Sequence, residues 1–233
     1  MTMARGTVRG LIPTVLAAVT LAGCSSSAGA GDERPGGPAV SSAPAKAADR
    51  AGTDKAGADA AKVAEKGGRV GGADSACELP VTFDIAERWK PRGVSVDLDP
   101  ELAEELADLT EQGTVKVVCE IDAKPAGNIG FLRVWQGEAS EDDPRAVLEA
   151  FVADGPTASK AAYTQVTAGA LKVAEVEYTG HSELLDEPKK ERAFAVTTPD
   201  GPVVVHLGGM DSEEHLAMLP AFELAKKTLE LRR

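Results

Sequence analysis

Arg192-Ala-Phe-Ala-Val-Thr-Thr-Pro-Asp-Gly-Pro-Val-Val-Val-His-Leu207 is the stretch on which the fold turns. Its two ends are small, aromatic or β-branched, a strand composition. Between them, Thr198-Pro199-Asp200-Gly201 punctuates the run. Proline presets φ for the first central position of a turn, and glycine accepts a left-handed position. Two strands joined by so short a turn lie antiparallel. The spacing predicts strands at 192–198 and 203–207 with a hairpin between them.

Working outward, strands are expected at 163–167 and 171–178. Val115, Val117, Cys119 and Ile121 alternate with more polar positions, which predicts a strand with one buried face. Residues 129–135 are apolar on both faces except Arg133, as in a central strand. Short strands are expected at 81–85 and 94–97. Asp99-Pro100-Glu101 offers a cap, a proline at the first helical position and an acid in the first turn. Leu102, Leu106 and Leu109 follow at helical spacing, and Gly113 stops the helix. Asp143-Pro144 starts a second helix whose face holds Val147, Ala150 and Phe151. A third begins near Asp211-Ser212 with a stripe of Met218, Phe222, Ala225 and Leu229, and Pro220 is expected to kink or split it. The order implies an α+β domain, a mostly antiparallel sheet flanked by helices.

The 233 residues carry a net charge of -12, and aromatics are only 4%. The acidic balance excludes a nucleic-acid partner, which requires a basic footprint. The amino terminus is different. Arg5 and Arg9 precede an uncharged, largely apolar stretch at 11–21, too short to span a bilayer and built like an export signal. Leu21-Ala22-Gly23-Cys24 resembles the bacterial lipobox. That resemblance implies cleavage between Gly23 and Cys24 and lipidation of the Cys24 thiol, so residues 1–23 are the lipoprotein signal peptide. Residues 24–76 hold no Phe, Trp, Tyr, Leu or Ile between the flanking cysteines. Such a segment cannot offset its ordering entropy, and it reads as a disordered Ala/Gly/Ser/Pro-rich tether. Residues 77–233 are the expected single domain, with a charge of -14.

The order of elements resembles the PsbP-like fold, an α/β/α sandwich. The stretches Cys119-Glu-Ile-Asp-Ala-Lys-Pro-Ala-Gly-Asn-Ile-Gly-Phe-Leu-Arg-Val-Trp135 and Gly201-Pro-Val-Val-Val-His-Leu-Gly-Gly209 are similar to parts of an actinobacterial lipoprotein family of unknown function. The resemblance spans roughly residues 80–233. It implies location and fold, and it carries no catalytic residue.

Cys77 and Cys119 remain once Cys24 is lipidated, and two thiols in an exported domain are expected to pair. His206 sits on the opposite face of its strand from Val203, Val205 and Leu207. It is expected to be hydrogen-bonded or partly exposed, with a general base as the alternative. His181 is placed at a strand end, and Asp211 follows His206 closely. His206, His181 and Asp211 are the candidate pocket. No GxSxG elbow or HExxH pair is present, so no catalytic residue, metal or cofactor is assigned. The acids Glu141-Asp142-Asp143 read as a helix cap. Lys189-Lys190-Glu191-Arg192 reads as an exposed loop and strand start, and Trp89 and Trp135 as core or rim. The expected function is a non-catalytic binding or interaction domain, held to the membrane by a lipid anchor on its extracytoplasmic face. Its partner is an unknown envelope protein or small ligand. The alternatives are an envelope hydrolase using a His/Asp site and a purely structural envelope component.

Overall fold

The structure, a computed structural model, describes residues 62–94, 107–155 and 157–232. The lipobox with Cys24, the tether up to 61, Asp99-Pro100-Glu101 and all but Val94 of the expected 94–97 strand lie outside the described residues. In chain order the elements are β1 (Lys66–Val70), β2 (Val81–Ala86), β3 (Lys90–Gly93), α1 (Ala107–Thr110), β4 (Glu111–Gln112), β5 (Val115–Asp122) and β6 (Gly130–Gln136). Then follow α2 (Pro144–Ala153), β7 (Ser159–Ala168), β8 (Leu171–Ser182), β9 (Glu187–Thr198), β10 (Gly201–Gly209), α3 (Ser212–Lys227) and β11 (Glu230–Leu231).

The large sheet runs β3-β5-β6-β10-β9-β8-β7, with β4 paired to β5, and its pairs are antiparallel. The Thr198-Pro-Asp-Gly201 turn joins β9 to β10, with Gly201 at φ 114° and the Thr198 hydroxyl donating to the Gly201 carbonyl at 2.7 Å. Successive side chains of β10 point to opposite faces. Val203, Val205 and Leu207 pack with Phe222 of α3, while Val204 packs with Phe151 of α2. One helix on each face makes the domain an α/β/α sandwich. Both helices start where the sequence places them. Asp143 accepts from the Arg145 N–H and Asp211 from the Glu214 N–H, both at 2.8 Å, with Pro144 in the first turn of α2.

Four expectations need correction. The tether does not extend to 76, because Lys66–Val70 is strand β1, paired with β2 in a small sheet β1-β2-β11. Buried Val70 and the charge pairs of Lys66 and Arg69 with Asp84, at 2.9 and 3.1 Å, hold it there. Second, β5 does not keep one buried face. A bulge sets Val117 opposite Trp135 and Cys119 opposite Val134. Val115 and Val117 therefore join the α2 side and Cys119 and Ile121 the α3 side. Third, Pro220 does not split α3, which runs through it. The Pro220 carbonyl accepts from the Ala64 N–H at 2.9 Å, so the chain ahead of β1 is tied to this helix. Fourth, β8 and β9 extend to 182 and back from 187, so the basic run lies within a strand rather than a loop.

Cys77 and Cys119 form a disulfide with Cα atoms 5.8 Å apart. Cys77 does not open the domain but follows β1, so the bridge ties the β1–β2 connection to the large sheet.

Candidate functional site

The long β8–β9 hairpin outruns α2. Near Ala174, Ala193 and Ala195 the sheet is covered by Val147, Leu148 and Phe151 of the helix. Farther along β8 and β9 a cavity of about 430 Å³ opens, with Gly155 among its lining residues. Tyr178, Gly180, His181, Lys189, Glu191 and His206 line it, with Thr157, Ala158 and Met210.

Register assembles its polar floor. Tyr178 faces Glu191 across β8–β9, and His206 of β10 sits opposite Ala193. His206 is only 8% exposed. Its Nε2 lies 3.0 Å from Glu191 Oε2 and 3.2 Å from the Tyr178 hydroxyl. Phe151 meets the imidazole edge-on at 5.4 Å between ring centroids. Lys189 Nζ sits 2.7 Å from Glu191 Oε1 and donates to the Gly209 carbonyl at 2.9 Å. Burial opposes charge on Glu191, but the His206 hydrogen bond and the His206 and Lys189 charges outweigh it and hold its carboxyl below the usual range. An ionised carboxylate only accepts, so His206 Nε2 carries a proton toward Oε2. The other ring nitrogen, Nδ1, is buried without a partner among the described residues. Burial, and then the Glu191 charge, drive the Tyr178 phenol far above its ordinary value, so it stays protonated.

The structure brings His206 and His181 to this one cavity. His181 lies at the end of β8, its Nε2 3.2 Å from Asp186. Asp211 is not among the lining residues; its carboxylate caps α3 instead. A His206–Asp211 triad is therefore not formed. The residues that do engage His206, Tyr178 and Glu191, were not singled out from the sequence. The available signal was strand phase: continuing β9 back through 187–191 places Lys189 and Glu191 on the His206 side.

The same phase sends Lys190 and Arg192 to the α3 side. There Arg192 Nε donates to Glu175 Oε1 at 2.8 Å, and Lys226 Nζ donates to Glu175 Oε2 at 2.7 Å and to Glu223 at 2.8 Å. A smaller hollow of about 230 Å³ lies beside this cluster, lined by Lys160, Lys190 and His215 among others. Buried His215 is held neutral, its imidazole lowered to about 4 by burial against an opposing pull from Glu191. Among the described residues no group of three or more His, Cys, Asp or Glu side chains could hold a metal ion. Nor is any described helix long and apolar enough to cross a membrane.

An α/β/α sandwich with a polar-floored cavity at one end of its β8–β9 hairpin is the class of domain defined by this geometry. A family model described as an uncharacterised lipoprotein matches residues 46–229, and the chain belongs to that family. No curated protein matches the chain. Among solved structures, the chain is similar to the solution structure of cyanobacterial PsbP (CyanoP) from Synechocystis sp. PCC 6803. The identity is 11% and the TM-score 0.45, over 70% of this chain and 91% of that one.

Proposed function

We propose that this lipoprotein is anchored by acyl groups on Cys24 at the extracytoplasmic face of an actinobacterial membrane, and that its domain is a non-catalytic binding module. The cavity at His206 is the binding site. The observation that carries this reading is the hydroxyl partner of His206. It belongs to Tyr178, a phenol held protonated by burial, rather than to a serine or threonine. Activating a nucleophile requires a base that can take its proton near neutral pH. In the set Tyr178–His206–Glu191–Lys189, the His206 Nε2, the Glu191 carboxylate and the Lys189 ammonium are engaged with one another, which makes a polar wall suited to recognition.

Two measurements test this. Metabolic labelling with a fatty acid should mark the wild type and spare Cys24→Ala; equal labelling removes the anchor. An envelope extract should raise the melting midpoint of the wild type and not of Ala158→Trp, which fills the cavity. Turnover of an ester, peptide or glycan that disappears in His206→Ala would replace binding by hydrolysis.

A further inference from the structure

β7 is the outer strand of the large sheet. β8 pairs one side of it, and among the described residues no strand pairs the other. The opposite edge is protected: β3 has only four residues and carries Pro91, which has no N–H to offer. β7 has no such device over most of its length. A bulge between Ser159 and Ala162, with Lys160 at φ 54°, ends the irregular part. From there Ala162-Tyr-Thr-Gln-Val-Thr-Ala168 pairs in unbroken register, without a charge, a proline or a glycine. Tyr163, Thr164, Val166 and Thr167 are strand formers, and Ala162, Thr164, Gln165 and Thr167 are exposed. An open edge of this composition is a template for another strand.

We propose that β7 pairs antiparallel with β7 of a second copy of this chain, about a two-fold axis through Gln165. In that register Ala162 faces Ala168, Tyr163 faces Thr167 and Thr164 faces Val166. These are small pairs and β-branched or aromatic pairs that stabilise a ladder. Charge selects this strip. Residues 77–233 carry -14, so two copies repel overall, whereas 162–168 contain no acid. The lipoprotein anchor adds to this by confining copies to one membrane surface, which raises their effective concentration. The chain's own 24–61 segment is a poorer occupant, since it lacks every aromatic residue, Leu and Ile.

The test uses the full-length lipoprotein in its native membrane. Cysteines on a two-fold axis meet, so Gln165→Cys under mild oxidation gives a covalent species of twice the chain mass. Leu184→Cys, exposed at the β8–β9 tip, gives none. In detergent, Gln165→Glu and Gln165→Lys each run as monomers because like charges oppose across the axis, and an equimolar mixture recovers the dimer. Both variants keep the wild-type melting midpoint within a few degrees, since the side chain is exposed. No cross-linked species, or one of any other mass, overturns the proposal. So does a mixture of the two charge variants that stays monomeric.

Discussion

Acidification should weaken this domain well above the pH at which its carboxylates protonate, and His215 is the reason. The side chain is 3% exposed, under the first turns of α3. Burial lowers its imidazole to about 4; Glu191 pulls the other way, and His206, Arg192 and Lys190 push it lower still. The unfolded chain returns it to the ordinary value near 6.5. Between those two pH values the unfolded state binds a proton that the folded state refuses. Stability therefore falls as pH drops through that window and stops falling on this account below about 4. A gap of about 2.5 pH units, at about 1.36 kcal/mol each, gives a loss of about 3 kcal/mol. That is a large fraction of the stability of an ordinary domain. The assay is urea unfolding at a series of pH values between 7 and 4 on the wild type and on His215→Met, which keeps the volume and removes the titration. Subtracting one profile from the other cancels the remaining groups. Two parallel profiles would refute the reasoning, because an imidazole that is truly held neutral must leave this trace.

Glu191 acts in a different window. Its folded carboxyl lies below the usual value, so its contribution is present above about pH 4.5 and lost as pH falls further; Glu191→Gln should flatten the acid limb of the same titration. Reducing the Cys77–Cys119 bridge releases a loop with a sequence separation of 42 and should cost about 4 kcal/mol on the loop-entropy account, read as a lower urea midpoint with reductant. Glu175→Ala removes the carboxylate shared by Arg192 and Lys226, which keep Glu177 and Glu223, and should destabilise by about 1.5–3 kcal/mol, measured by equilibrium unfolding. Phe151→Ala removes a fully buried ring that touches both Trp135 and His206, and a loss of about 3–5 kcal/mol in the same measurement is expected.

What was legible in the sequence is what the chain decides locally. Asp143-Pro144 and Asp211-Ser212 cap their helices with their own side chains, and Thr198-Pro-Asp-Gly201 closes its turn without help. The Cys77–Cys119 pairing followed from the export signal alone. What was hidden depends on distant partners. Lys66-Gly-Gly-Arg-Val70 has no strand composition and becomes β1 because β2 and Asp84 receive it. The bulge in β5 leaves no mark in an alternating pattern, yet it moves half of the strand to the other face. Within the candidate site, His206 and His181 were visible as residue types. Glu191 was masked by its charged neighbours, which suggested solvent, and Asp211 was drawn in by proximity along the chain although its carboxylate serves α3.

Lys189-Lys190-Glu191-Arg192 has one more consequence. Lys189 and Glu191 supply a charge network around His206, while Arg192 supplies another around Glu175 on the opposite face of the sheet. Sliding β9 by a single residue would exchange the two sets and strand Glu175 and His206 at once. Apolar residues on both faces of a central strand tolerate such a slip far better, because valine and alanine fit either side. The buried ions thus work as a parity check on the hairpin. They contribute little net attraction after desolvation, but they penalise every alignment except the correct one.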